Sequence, residues 1–442
     1  MTQFLVSGYA DMEFYNAITK CQSISVSKFF PTTRKCKLQL ENGLSNGNGP
    51  TDKEEEHLFE YYVEVICRRK VFSDSLFNEF RAVTIPRSGM SSSLFQSIMA
   101  IAASDMERNN PARSDYYRLL TLKYQNNAID LLYNSLDNPD PKCMTVLIIT
   151  IIILCSLEIG DNATGRWVNH LQEACLVMQS IEDEQILSST VLLFGYRYFA
   201  LRYYLLLTTL NKEHYLKFTS NTPLRMIESF FDSNIIDHLF GCSPKLIFLI
   251  HNIVKLKNSP QEDKCDSIFQ IYNELEEIEQ VDLEDDERLT SCAQLYLNIT
   301  KVYFQNLFRI DICQLGARYP TIELKPTDSI ITESFQLFHK LTDINRENSA
   351  LLPTWTLFIM ATNGSYQIDD TLRVNVLQIF DKMERLWPKA SPAVIRTAIE
   401  LIWKSQDLGF VEQTNMTSLA RREFSPSWQD VICSSGMKLA LT

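Results

Sequence analysis

The chain has 442 residues, more than the ~250–300 at which a single core stops growing, so two lobes or one large helical array are expected. Hydrophobic residues make up 45% and charged residues 22%, which reads as globular rather than disordered and supplies apolar material for a large core. The net charge of −12 and pI of about 5.1 are opposite in sign to the basic footprint of an autonomous nucleic-acid binder.

Residues 1–53 show no sustained period and end in Gly43, Gly47, Gly49 and Pro50, the composition of a flexible arm and linker. The Gly-x-Gly there follows no strand and lacks a third glycine, so it marks a boundary rather than a phosphate cradle. The start of the chain has no basic cluster and holds Asp11 and Glu13, unlike a secretory signal. With an odd eleven cysteines, this points to an intracellular, reduced protein whose thiols are mostly small core groups. None of the cysteines forms a C-x-x-C pair, and no structural metal is expected.

From Glu54 the period becomes helical. Leu58, Tyr62, Val65 and Ile66 fall on one face, and Ser91 to Ser93 can cap a segment carrying Leu94, Ile98, Ile101 and Ala102. A longer amphipathic piece follows through Tyr116, Tyr117, Leu120, Tyr124, Ala128, Leu131 and Leu132. Thr145 to Leu157 then carries no charge over thirteen residues. It is too short for a membrane span, which needs roughly 20 apolar residues, and too long for a buried strand despite its β-branched content. A buried helix, a turn at Gly160 to Gly165, and a second helix with Trp167, Leu171, Ala174 and Met178 packed back on it are predicted.

Ser188 to Leu210 is also apolar, but Arg197 and Arg202 interrupt it, which argues for a buried helix with both arginines on its wet side. In Asp237 to Leu256, Ser243 is a ready N-cap, Pro244 fits the first helical position, and Leu246, Leu249, Ile250 and Ile253 form a stripe. Residues 262–288 hold twelve acids against Lys264 and Arg288. Ile268, Ile271, Leu275 and Ile278 keep a helical stripe there, so the acids read as a solvated helix face, with an acidic activation surface as the sharper alternative. Leu295, Ile299, Val302, Tyr303 and Leu307 continue the array; Pro320, Pro326 and Asp328 break it; Ile331, Phe335, Phe338 and Leu341 resume it. The run LLPTWTLFIMAT starts at Leu351, followed by a helix with Val376, Phe380, Met383 and Trp387 and a last one with Ile395, Ala398, Ile399 and Ile402, closing at Trp403.

Catalytic constellations are wanting. The string GCSPK at Gly241 lacks the second glycine and the strand of a nucleophile elbow. The six histidines make no metal-gripping pair. His170 reads as a satisfied interior histidine, and Cys175, five residues on, lies about 140° round the helix from it. The 18 Tyr and 25 Phe could line a ligand pocket or simply fill the core. No catalytic, cofactor-binding or metal-ligating residue is expected, and no membrane span.

Leu154, Glu158, Gly160, Trp167, His170, Leu171 and Ala174 stand at the spacing of the fungal-specific transcription factor domain, the regulatory region that follows the zinc binuclear cluster in many fungal transcription factors. Leu239, Gly241 and Ser243 before a Leu-rich helix resemble the same family. So does the order from Trp355 through Asp370 and Arg373 to Ile402-Trp403, and the three matches span roughly residues 56–405. Glu173 stands where the family usually has Gly, and Thr356 and Ala361 where Pro and Gly are common.

The resemblance implies an all-α protein: a flexible arm over 1–53 and a regulatory domain over 54–442, a two-lobed array of antiparallel helices with lobes near 54–320 and 328–442. It further implies a nuclear regulator of RNA polymerase II transcription, acting as a homo- or heterodimer with protein partners of the transcription machinery. Family members contact DNA through an N-terminal zinc cluster. Cys21, Cys36 and Cys67 are too far apart to form one, so DNA contact is expected only indirectly, or through a cluster upstream of Met1. Two alternatives stay open: a structural subunit of a DNA-bound assembly, as one centromere-binding member is, and a domain that senses a small-molecule effector, as members that bind metabolites or sterols do.

Overall fold

The computed structural model describes residues 52–441 apart from 75–77, 90–91, 137–140, 162–164, 260–263, 310, 313–323, 345–350, 363–369, 387–389 and 414–426. The arm with Cys21 and Cys36, the Gly-rich linker, Ser91, Pro320 and Trp387 lie outside these residues. Among the described residues the protein is all-α; the only extended pairing is two isolated bridges, Ile235 with Val281 and Asp237 with Cys242.

Two compact units emerge: the described residues up to Arg68 with those of Phe77–Phe199, and those of Arg69–Leu76 with those from Ala200 onward. In the first, α1 (Asp52–Tyr61) passes through a π turn, Tyr62–Ile66. There follow α2 (Glu79–Ser88), α3 (Ser92–Asn109), α4 (Ser114–Leu136), α5 (Pro141–Asp161), α6 (Trp167–Gln179), α7 (Asp183–Ser188) and α8 (Thr190–Thr208), the last divided between the units after Phe199. Helix α3 packs on α4 and α5, and α5 on α6. Leu94, Ile98, Tyr124 and Ala128 are buried as their spacing requires, whereas Leu131 faces solvent.

Helix α5 is buried almost all round, from Leu147 to Ile159, because its apolar residues cover every face rather than one stripe. It meets α8 at Gly195, where an added Cβ would lie 2.3 Å from the Ile148 Cγ2. Any larger residue at 195 must push that neighbour aside.

The sequence expectation for α8 needs correction. Arg197 and Arg202 do not lie on a wet side; they are 9% and 7% exposed. Arg197 Nη1 donates to Glu79 Oε1 at 2.6 Å, an ion pair between residues 118 positions apart. Helical periodicity assigns a charge to the surface by default, and a partner so far along the chain is invisible to it.

The second unit contains α9 (Lys212–Asn221), α10 (Glu228–Phe231), α11 (Pro244–Asn258), α12 (Cys265–Glu277), α13 (Glu287–Leu307), α14 (Thr327–Ile344), α15 (Thr354–Thr362), α16 (Asp370–Leu386), α17 (Ala390–Gln413) and α18 (Trp428–Ser435). Ser243 caps α11 as predicted, its side chain accepting from Leu246 N, with Pro244 in the first turn. Ile268, Ile271, Leu275 and Ile278 are buried along α12 and its end. Helix α17 does not close at Trp403 but runs on to Gln413. Helix α18 is an addition to the expected set; Ser427 and Asp430 make a reciprocal capping box, and Gly436 ends the helix at φ 71°.

Residues 69–74 form a strap sewn into this unit. Phe72 N donates to His238 O and Leu351 N to Val71 O, both at 2.9 Å, and Ser73 Oγ donates to Asp286. Gly241, at φ +73°, lies flat against the Phe72 ring, where a Cβ would come within 2.8 Å of Cγ. Glycine is required there for both backbone and space.

Candidate functional site

The hairpin of α5 and α6 carries the residues singled out in the sequence. Leu154, Trp167, Leu171 and Ala174 are buried between the helices, and Gly165 turns the chain at φ 87°. The polar members gather at the turn. Glu158, 6% exposed, accepts from Gln125 Nε2 at 3.0 Å and pairs with Arg166 Nε at 3.1 Å. His170 Nδ1 lies 3.2 Å from Glu173 Oε2. Burial pulls the His170 imidazolium down, but the hydrogen bond and charge of Glu173, with the Glu158 carboxylate beyond, outweigh it and raise its pKa. Glu173, the departure from the family pattern, is therefore the residue that satisfies His170.

This cluster is poorly suited to nucleophilic chemistry. Burial pushes the Cys175 thiol up, the reverse of what an attacking thiolate needs. The same holds for Cys292, pushed up to about 12 chiefly by burial. Seven cysteines are free thiols among the described residues, five of them buried. No three His, Cys, Asp or Glu side chains come together as a metal-ligand set among the described residues. Nor is any described helix long and apolar enough to cross a membrane.

The second unit is organised around Trp355, whose surroundings no spacing in the sequence announces. Its indole Nε1 donates to Thr208 Oγ1 at 3.1 Å. Tyr296 stacks on its face at 5.8 Å and Tyr303, two turns along α13, meets it edge-on at 6.0 Å. Both phenol oxygens are buried with no hydrogen-bond partner among the described residues. Burial pushes the Tyr296 phenol well above its ordinary value, Cys242 and Cys292 act the same way, and Arg202 opposes them. The aromatic residues are thus core, with two unpartnered hydroxyls buried among them.

Beside this group Arg288, 7% exposed, binds three stretches of backbone. Its Nε donates to Phe72 O at 2.8 Å, Nη1 to Leu341 O at 3.3 Å and Nη2 to Leu351 O at 2.6 Å. The guanidinium fork suits such divergent acceptors. The one sequence signal was its isolation as a cation at the end of an acidic run.

Among the described residues the fold is helical, and the signature residues pack in the α5–α6 hairpin. The chain matches the fungal specific transcription factor domain over residues 57–442 and belongs to that family. The family serves transcription regulation, which implies a nuclear protein, and is in general non-enzymatic. Comparison with curated proteins and with solved structures finds no match.

Proposed function

We propose that this protein regulates genes transcribed by RNA polymerase II as a regulatory and dimerisation module, reaching DNA through a protein partner that carries a zinc cluster. The observation that carries this reading is the family match across residues 57–442, with the signature hairpin packed as the family spacing requires. The net charge of −12 supports indirect contact, because a surface of that sign repels phosphate. The test is chromatin immunoprecipitation of the endogenous protein. Occupancy of promoters that disappears when a zinc-cluster partner is deleted supports the proposal; a chain free of chromatin under all growth conditions overturns it.

A second reading is favoured by one observation, the buried phenol hydroxyls of Tyr296 and Tyr303 beside Trp355. An unmade hydrogen bond on a buried hydroxyl costs about 1–3 kcal/mol, which a small-molecule effector offering acceptors would recover. A ligand at 100 times its dissociation constant adds about 2.7 kcal/mol, readily seen as a rise in melting temperature. The Tyr296→Phe, Tyr303→Phe double variant should keep its fold and lose that rise. A metabolite panel that leaves the wild-type melting temperature unmoved removes the support for an effector.

A further inference from the structure

The loop between α12 and α13, with the segment between α10 and α11 that bridges to it, displays large apolar side chains. Ile235, Val281 and Leu283 are 47%, 45% and 71% exposed. Ile235 and Val281 are held side by side, because Ile236 N donates to Val281 O and Val281 N to Asn234 O, both at 2.9 Å. The display is not slackness. Asp282 accepts from Glu284 N at 3.0 Å, Asp286 N at 2.7 Å and the Thr290 hydroxyl at 3.1 Å. Asp286 caps α13, and Asp285 takes the left-handed backbone at φ 54°. A loop with this much internal bonding holds Leu283 outward.

Around these side chains the exposed charges are acidic: Glu277, Glu279, Glu284, Asp285 and Glu287. Among the described residues, His238 lies 3.5 Å from Glu284 and the Lys340 ammonium 2.7 Å from Glu287 on this rim; Lys301 pairs with Glu276 at 2.8 Å. An apolar centre with a polar rim is the layout of a protein-docking face. The sign of the rim selects the occupant. Nucleic acid is repelled, and a second copy in an isologous contact would set acid against acid.

We propose that this face docks a cationic segment of another protein, one that places bulky aliphatic or aromatic side chains on Ile235, Val281 and Leu283. It rests on the transcriptional reading, and the partner is then a component through which the chain acts on transcription. The full-length chain, expressed in its own host with a photo-crosslinking amino acid in place of Ile235, provides the test. The expected adduct maps to a segment of another protein that is net positive and contains aliphatic or aromatic residues. Its yield should fall at least fivefold with Glu277→Lys plus Glu279→Lys, and again with Leu283→Ser. Leu187→Ser, at an exposed leucine elsewhere, should leave it unchanged, and all variants should melt as wild type.

An adduct to an acidic or neutral segment, to nucleic acid or to a second copy overturns the proposal. So does a yield indifferent to charge reversal, or no adduct at all. Chromatin occupancy measured in the same cells separates the two readings. A chromatin-bound chain without the adduct overturns the docking face alone; the adduct on a chromatin-free chain keeps the face and sinks the transcriptional reading.

Discussion

Arg197 in the first unit and Arg288 in the second are both guanidinium groups withdrawn from water, and they are accommodated differently. Arg197 meets the Glu79 carboxylate, whereas Arg288 donates to the backbone carbonyls of Phe72, Leu341 and Leu351. A carboxylate can be removed by mutation along with its arginine. A carbonyl cannot. The first arrangement is therefore replaceable by apolar residues in principle, while the second ties its residue to the backbone of three segments for as long as those segments are buried.

The largest effect is expected at Arg288. Arg288→Met strands carbonyls that cost about 1–3 kcal/mol each when left unsatisfied, so a loss of roughly 4 kcal/mol is expected in urea unfolding. Arg288→Lys keeps a charge but offers a compact ammonium in place of a fork and should lose roughly half as much. Hydrogen exchange locates the damage: amides of α13 and α15 should lose protection while those of α3 and α5 keep theirs. Equal loss in both units would break the contrast.

Glu79→Ala leaves Arg197 buried without this carboxylate and should cost roughly 2–3 kcal/mol, below the fully buried case, because Glu79 keeps 22% of its side chain in water. The sharper measurement is the rescue. Glu79→Leu with Arg197→Met should return to within about 1 kcal/mol of wild type, whereas no second substitution should rescue Arg288→Met. If the double variant is as unstable as the single one, the two arginines are not of different kinds.

Gly195→Ala tests packing in the first unit without touching charge. Alanine gains about 1 kcal/mol in helix propensity, but its Cβ collides with Ile148, and overpacking costs about 1–3 kcal/mol. A net loss of about 1 kcal/mol is expected, changing to a gain in the Ile148→Ala background. Additive effects in that double-mutant cycle would mean that α5 and α8 do not meet as described.

What the sequence disclosed about this fold was local. The stripes of α11, α12 and α14, the Ser243 cap and the buried run of α5 each depend on residues within a few turns of one another, and each is present. The burial of Arg197 depends on Glu79 and that of Arg288 on Phe72 and Leu351, partners 118, 216 and 63 positions away, and no periodicity reports on them. Helix α18 is a different kind of omission: Ser427 and Asp430 are a legible capping pair, but a helix of eight residues offers little stripe to accompany it. The Trp355 cluster joins three helices, α8, α13 and α15. Its membership could not be read from aromatic content alone.

The smallest effect is at His170, which sits near the turn of the hairpin in the first unit. The folded pKa is raised above the ordinary imidazole value of about 6.5. The sign follows from linkage: the stabilisation is fully present below the unfolded value and is lost as pH rises through the folded one. Melting temperature should therefore decline over that window in the wild type, by the equivalent of less than about 1 kcal/mol for a partly exposed pair. His170→Gln should flatten the decline, and Glu173→Gln should move the histidine's NMR titration downward, since Glu173 opposes the effect of burial. A Glu173→Gln variant whose histidine titrates as in the wild type would mean that the charge of Glu158, with its own ties to Gln125 and Arg166, is what raises the imidazole. The raised imidazole would then belong to the signature residue, and Glu173 would no longer be what satisfies it.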